Sequence, residues 1–310
     1  MDKRQRDNFS SWWQERILWD VDMAAYSTLR AGGRAAALVD VHSREELRYL
    51  LGRLEAEQIS WRVIGLGSNI LVSEQGYPGV IIRLQGELKE ITPQAGNDEP
   101  GGSVVIMAGA GCSTAALVSW CTRHGLTGLE YLAGIPGSVG GAVRMNAGAW
   151  GHEIGERLHE VECIDYSGRL FRVPLSGLTL SYRRLALKEG DPERMVIVSA
   201  AFVLEAGDAG LIRRRCRDYL ERRRGKQPAG VASAGSFFKN PAGDFAGRLI
   251  EAAGLKGVRC GQAMVSPVHA NFIVNTGGAT AADIVALMHL VRKGVFKRFG
   301  VRLEPEVQIF

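Results

Sequence analysis

Cysteine is scarce in this sequence, and nothing pairs it. Cys112, Cys121, Cys163, Cys216 and Cys260 are the only five in 310 residues. None stands in a C-x-x-C pair and the number is odd. That argues against a disulfide framework or a zinc site and for a reducing compartment. Histidine offers no metal site either: His152-Glu153 lacks the second histidine of H-E-x-x-H, and His159 is too far along for one zinc face. No charge sign dominates, since 38 Lys and Arg face 33 Asp and Glu, a net +5. This modest excess suits nucleic acid, a membrane surface or an anionic small molecule, and does not choose among them. No apolar run is long enough to span a bilayer. Residues 1–20 are charged and carry Trp12, Trp13 and Trp19 where a secretory signal has an apolar stretch, so a cytoplasmic protein is expected. No internal repeat, low-complexity tract or disorder-like composition appears.

What is present is enough for a sizeable core. Hydrophobic residues make up 46% and charged residues 23%, and the length suits two or three domains. Residues 36–41 read as a strand. Ser43-Arg-Glu-Glu46 reads as a capping box opening a helix, with Glu46 reaching back to the cap and Leu47, Leu50, Leu51 and Leu54 at helical spacing. Strands follow at 61–65, 70–72 and 80–84. This alternation marks an α+β or α/β lobe. The polar stretch 94–102 reads as a lobe boundary. A strand at 104–108 and a helix capped by Ser113 and running to about His124 open the second lobe. Residues 161–165 and 170–173 read as a hairpin, and 195–204 as an apolar strand. After a short linker at 206–210, a basic helix over 211–224 carries Ile212, Cys216, Tyr219 and Leu220 on its apolar face. Helices near 245–253 and 279–299 and strands near 263–266, 271–274 and 301–309 complete a last domain.

Two glycine-rich segments can meet a ligand. Gly134-Ile135-Pro136-Gly137-Ser138-Val139-Gly140-Gly141-Ala142 lets the backbone come close to a bound group and turn successive N–H groups toward it, as a phosphate-binding concavity does. Gly65-Leu66-Gly67-Ser68-Asn69 is a shorter turn of the same kind, and alone it reads as a tight turn only. Together they favour a dinucleotide. Neither is a P-loop or the Rossmann G-x-G-x-x-G. Ser233-Ala-Gly235-Ser236-Phe-Phe-Lys239-Asn240-Pro241 is not a nucleophile elbow, because Ala234 stands where glycine is needed. Two aromatics after Ser236 place its hydroxyl in a partly dry setting, where it can donate a proton but makes a poor base; by itself the segment reads as a hydrogen-bonded turn. The arginines of the basic helix read as a solvated face without a nucleic-acid motif. Lys226, just past that helix, is better placed to meet a phosphate. His269 reads as a structural histidine, and the Trp12–Trp19 cluster as packing.

In this order, residues 28–33, 65–69, 128–151, Ser181-Tyr182-Arg183, 235–241, 247–257, 266–275 and Leu303-Glu-Pro-Glu306-Val307 resemble the UDP-N-acetylenolpyruvoylglucosamine reductase (MurB) family. The glycine segment 134–142 with Met145-Asn146-Ala147-Gly148, plus 235–241, is the most specific part. The resemblance starts near residue 26 and implies an α+β fold. A two-lobed FAD-binding domain of the vanillyl-alcohol-oxidase-like (PCMH) type would occupy 26–205, with lobes at about 26–93 and 103–205. A substrate domain would occupy 206–310, and residues 1–25 stay unassigned. FAD would be held by Gly65, Gly67, Ser68, Asn69, Ile70, Gly134, Ile135, Pro136, Gly137, Ser138, Gly140, Gly141, Ala142, Asn146 and Gly148. The implied reaction is reduction of UDP-N-acetylglucosamine enolpyruvate, with NADPH as reductant and hydride passing from flavin N5 to the enolpyruvyl β-carbon. Charge then develops at the substrate carboxylate and a proton is needed at the α-carbon. The family's arginine falls on Arg183, its serine proton donor on Ser236, and its glutamate on Glu306, which would orient or polarise the arrangement as a neutral acid. Tyr182, Lys226, Lys239 and Asn240 fall on substrate-binding positions. The role implied is in peptidoglycan precursor and cell-wall synthesis, and hence in cell shape and division. Neither nucleic acid nor membrane insertion is involved, and a monomer is expected.

Two departures stand out. Ser27-Thr28 replaces the usual asparagine-threonine, so that turn is expected to close differently. No tyrosine follows Tyr219, which matches the shorter, type II subgroup and leaves open what covers the substrate. The alternatives are another FAD oxidoreductase on the same scaffold, oxidising an alcohol or sugar, and a non-catalytic protein that keeps the fold. Against both stand Arg183, Ser236 and Glu306 together.

Overall fold

A computed structural model describes residues 1, 3–13, 16–99, 103–188 and 195–310. The chain divides into two compact units, each assembled from separated stretches. The first comprises Met1–Ile17, Leu38–Gly65 and Val80–Arg222, and the second Leu18–Ala37, Leu66–Gly79 and Arg223–Phe310. The seven helices among the described residues are α1 (Lys3–Trp13), α2 (Arg44–Ala56), α3 (Thr114–Arg123), α4 (Val139–Arg144), α5 (Ala209–Lys226), α6 (Ala246–Ala252) and α7 (Ala281–Phe299).

In the first unit, a sheet runs in the order Leu170–Pro174, Leu158–Asp165, Met195–Ala206, Ser103–Gly109, Ile91–Glu99, with Leu126–Thr127 beside the long central strand. Every pairing is antiparallel. The apolar run of Met195–Ala206 is buried over its first eight residues, as a strand covered on both faces must be. Trp61–Ile64 pairs in parallel with Val80–Arg83, and α2 leads into Trp61–Ile64. Its amphipathic spacing buries Leu47, Leu50, Leu51 and Leu54, and Ser43 Oγ accepts from the Glu46 N–H. Glu46 reaches one residue further back than a capping box requires, taking the His42 N–H at 2.8 Å instead of that of Ser43. Arg16 also binds it, at 2.7 Å. Helix α1 is tied to the end of α2 by Gln5 and Asn8, which donate to the Glu57 carbonyl and carboxylate. Trp13, buried, stacks on Tyr49. Trp13 is therefore packing, as expected.

The second unit wraps one apolar core drawn from all three of its stretches: Leu29 and Ala31, Leu71, then residues from Ala234 to Val307. A small antiparallel sheet ordered Ala232–Ser233, Ile273–Asn275, Ala263–Val265, Arg259–Cys260 lies with α6 and α7 around it. Thr280 and Asp283 cap α7 reciprocally, and Gly300 ends it in the left-handed conformation. Gln308–Ile309 pairs in parallel with Ile70–Leu71.

Several local expectations are corrected. Residues 91–99 continue as a strand, irregular between Pro93 and Asp98, where the polar composition suggested a boundary; residues 100–102 lie outside the described set. The linker shrinks to Gly207 and Asp208, because the strand before it and α5 after it both extend toward each other. Lys226 is the last residue of α5 rather than beyond it. Residues 301–309 form no continuous strand. Only Gln308–Ile309 does, with an isolated bridge from Pro305 to Phe238, because Pro305 cannot donate to a ladder.

Candidate functional site

In the first unit, the glycine segment 134–142 is fixed from behind by α3. Thr114 Oγ1 donates to the Ile135 carbonyl at 2.5 Å and lies 3.3 Å from that of Gly137, which accepts from the Thr114 N–H. Val139 and Gly140 N–H groups are taken by the carbonyls of Cys112 and Ala110. Ser138, buried, caps α4 by accepting from the Gly141 N–H. Gly134, Pro136 and Gly141 are exposed. Gly65 meets this turn from the end of its strand. A Cβ there would be driven into Ser138 Oγ and would sit 3.1 Å from Ser138 Cβ. The two segments singled out as a dinucleotide site therefore touch within one unit at Gly65 and Ser138, and the close approach is possible only because residue 65 has no side chain. Such a cradle, braced by backbone hydrogen bonds and exposed at Gly134, Pro136 and Gly141, fits the FAD expected of it.

The rest of the shorter turn lies in the second unit. Gly67, at φ +70°, packs so tightly on the Tyr26 carbonyl that no side chain fits. Thr28 N–H donates to Gly67 O, Ser27 Oγ donates to Ile70 O, and Ser27 Oγ accepts from Leu29 N–H. Ser27, which replaces the usual asparagine, thus closes this turn with its hydroxyl. Asn69 spends its side-chain amide on the Glu306 carbonyl at 3.1 Å, and its own carbonyl accepts from Gln308. It therefore positions the chain at Glu306, a task that its place in a glycine turn did not suggest.

Ser236 and Glu306 belong to one construction in the second unit. Phe237 N–H donates to Asn271 O at 2.7 Å, Glu306 N–H to Phe237 O at 2.8 Å, and Lys239 N–H to Glu304 O at 2.9 Å. Asn271 clamps the same strip from the side, accepting from Phe238 N–H at 3.0 Å and donating to Phe238 O at 2.8 Å. Phe237 and Phe238 are fully buried, so Ser236 is held at the end of a rigid, dry strip. It opens on a cleft of about 430 Å³ lined by, among others, Asn240, Phe245, Arg248, Glu251 and His269. Among the described residues none hydrogen-bonds to the Ser236 hydroxyl. Asn240 Oδ1 accepts from the Ala246 N–H at the start of α6. Lys239 pairs with Glu304 at 2.9 Å on the surface, and Lys226 stands exposed at the end of α5.

Arg183 sits in the first unit at the tip of the hairpin Leu178–Ser181/Arg184–Leu187. It adopts φ +58°. Its guanidinium donates to the Gly148 carbonyl at 3.3 Å and lies over the Tyr182 ring. Trp150 stacks on Tyr219 of α5, 6.4 Å apart, and Arg222 lies over Tyr219. Asn146, placed among the cofactor ligands by its motif, turns its whole side chain inward.

Residues 35–174 match the FAD binding domain, and residues 227–310 match the UDP-N-acetylenolpyruvoylglucosamine reductase C-terminal domain. The UDP-N-acetylenolpyruvoylglucosamine reductase of Desulfosudis oleivorans is 41% identical, covering 100% of this chain and 99% of its own. That of Alkalilimnicola ehrlichii is 46% identical over 93% of this chain and 92% of its own. The chain belongs to the UDP-N-acetylenolpyruvoylglucosamine reductase family. A crystal structure of the Thermus caldophilus member matches with a TM-score of 0.78 at 37% identity, covering 95% of this chain and 98% of that one. The α+β fold, the FAD-binding domain and FAD as its cofactor stand as expected. No described helix is long and apolar enough to cross a membrane, and the described residues hold no cluster of metal-binding side chains. All five cysteines are free, and burial pushes the Cys121 and Cys163 thiols up to about 12, which keeps them unreactive.

Four residues that shape this site carried no assigned role in the motifs, although Arg248 and Asn271 lie within the stretches 247–257 and 266–275. Thr114 and Asn271 brace the glycine turn and the serine strip, but their partners are 21 to 33 residues away. Arg248 and Phe245 line the cleft from α6 and the residue before it. His269 was read as structural, yet it lines the cleft too. Asn271 N–H donates to its Nδ1 at 3.2 Å, so the neutral ring carries its proton on Nε2. Burial holds its pKa below the usual value, which keeps the ring neutral near pH 7.

Proposed function

We propose that this chain reduces UDP-N-acetylglucosamine enolpyruvate to UDP-N-acetylmuramate with NADPH, as a cytoplasmic step of peptidoglycan precursor synthesis. The observation that carries the proposal is Ser236: one hydroxyl, held by a buried Phe-Phe strip at the edge of a ligand-sized cleft, in a chain of this family. FAD, when bound, supplies the hydride. Gly65, Ser138 and the turn 134–142 of the first unit would hold it.

The remaining chemistry falls to side chains. Hydride addition at the β-carbon leaves negative charge delocalised onto the substrate carboxylate. A guanidinium answers that charge with two parallel N–H bonds, and Arg183 is assigned to it. The α-carbon then needs a proton. A serine hydroxyl in a dry setting delivers it over a short path, and the serine anion left behind is reprotonated before the next turnover. Glu306 is joined to the serine strip through its backbone N–H and is assigned to orient or polarise the donor. Asn240 and Lys226 are assigned to the diphosphate. Lys239 joins them only by exchanging its partner Glu304, an exposed pair of little intrinsic worth.

An anaerobic absorbance trace tests the proposal. NADPH should bleach the flavin, and UDP-N-acetylglucosamine enolpyruvate should restore it. Bleaching without recovery would transfer the proposal to another FAD oxidoreductase on the same scaffold. A chain that takes up no FAD would overturn it altogether.

A further inference from the structure

Asn146 is fully buried, with 1% of its surface exposed, in the left-handed conformation at φ +41°. Each polar atom of its side chain is engaged. Oδ1 accepts from the Gly155 N–H at 3.1 Å. Nδ2 donates to Glu153 Oε2 at 2.5 Å and to the Ser181 carbonyl at 3.2 Å. The assignment of O and N is unambiguous, because the reverse would set an oxygen against a carboxylate and a carbonyl. These partners close a ring. Ser181 pairs with Arg184 across the two-residue turn Tyr182-Arg183. Arg183 donates to Gly148 O. Gly148 pairs with Glu153 in a second short hairpin, and Glu153 holds the Asn146 amide.

We propose that Asn146, with Glu153, is a positioning residue for Arg183 and acts through it, not as a flavin ligand by its side chain. The hairpin that carries Arg183 has strands of only four residues and an exposed tip, so its own pairing fixes the guanidinium poorly. Two ties hold the tip to the loop 146–153: the amide on Ser181, just before the turn, and the guanidinium on Gly148, just after Asn146. Only asparagine supplies two donors and an acceptor from a left-handed backbone at this size. Asn146 is buried and both amide protons are already donated, so its side chain has no donor left to offer a flavin.

The proposal rests on the reductase reading, and the test separates the two. Asn146→Asp keeps the shape, the left-handed tolerance and the acceptor for Gly155. It replaces the donor facing Glu153 and Ser181 by an acceptor. FAD content, flavin reduction by NADPH, and reoxidation of the reduced enzyme by UDP-N-acetylglucosamine enolpyruvate are measured separately. FAD should remain stoichiometric and its reduction by NADPH within about threefold of wild type. Reoxidation should slow about 10- to 100-fold, since a displacement of the order of 1 Å costs up to that much. In an Arg183→Ala background the same change should cost less than about twofold, because its route of action is already gone. Glu153→Gln, which keeps an acceptor for the amide, supplies a milder variant with the same dependence on Arg183 should Asn146→Asp not fold. Loss of FAD, unchanged reoxidation, or an equal cost with and without Arg183 would overturn the positioning role. Wild-type enzyme that the substrate fails to reoxidise would overturn the reductase reading and this proposal with it.

Discussion

Gly65→Ala puts the FAD cradle to its sharpest test. The added methyl would enter the space of the Ser138 hydroxyl and stand 3.1 Å from Ser138 Cβ. Ser138 cannot retreat freely. It is buried, its hydroxyl caps α4, and the neighbouring Val139 and Gly140 N–H groups are pinned to Cys112 and Ala110. Overpacking of this kind costs about 1–3 kcal/mol, and a disturbed cap about 0.5–2 kcal/mol more. If half of that falls on the turn as it must be to hold FAD, the dissociation constant rises about tenfold, since each 1.4 kcal/mol is a factor of ten. Titration of the apoprotein with FAD, followed by quenching of flavin fluorescence, reads this directly. A second substitution supplies the control. Ser138→Gly removes both atoms the methyl meets, and glycine at a helix cap costs only a few tenths of a kcal/mol. The double variant should therefore bind FAD within about threefold of wild type. Wild-type affinity in Gly65→Ala, or no recovery in the double variant, would refute the claim that these two segments form one FAD cradle.

Ser236→Ala should leave flavin reduction by NADPH intact and lower turnover about 10²–10⁴-fold, the usual worth of a positioned proton donor; near-normal turnover removes Ser236 from that role. Arg183→Lys should lower kcat/KM at least about tenfold, because a lysine ammonium cannot make the planar two-pronged contact with a carboxylate; wild-type kinetics would withdraw the assignment. His269 makes stability depend on pH in a definite direction. Its folded pKa lies below the unfolded value of 6.5 because burial opposes the charged ring. The unfolded chain therefore binds the proton first, and the contribution is complete above pH 6.5 and is lost as the pH falls through the folded pKa. Melting curves of wild type and His269→Gln between pH 7.5 and 5 should diverge on the acid side, the variant losing less; parallel curves would show that this ring is not responsible.

Local signals read well from the sequence, and the reason is local physics. The caps at Ser43 and Ser113 and the leucine spacing of α2 act within three to seven residues, and the structure has them in place. So too the hairpin read at 161–165 and 170–173, whose turn is only a few residues long. Failures began where a distant partner decides the outcome. Residues 91–99 became a strand because Ser103–Gly109 offers an edge, although their composition is that of a loop. Residues 301–307 stay irregular because Pro305 cannot extend a ladder, and Glu304 O and Glu306 N–H bond to the serine strip.

The same distinction sorts the candidate site. A glycine motif announces that the backbone approaches something, and Gly65 does approach: it meets Ser138, 73 residues on. A polar residue inside such a motif announces nothing about its direction. Asn69 and Asn146 both stand in motifs expected to bind a ligand, and both turn their amides inward, the first onto the Glu306 carbonyl and the second onto the hairpin of Arg183. In each case the residue beside the glycine motif holds a segment that bears a residue assigned to the chemistry. Motifs of this kind therefore mix two tasks, presenting backbone to a cofactor and fixing the segments that carry the reacting groups. Only the hydrogen bonds tell which residue does which, and here asparagine, with donor and acceptor on one short side chain, does the fixing.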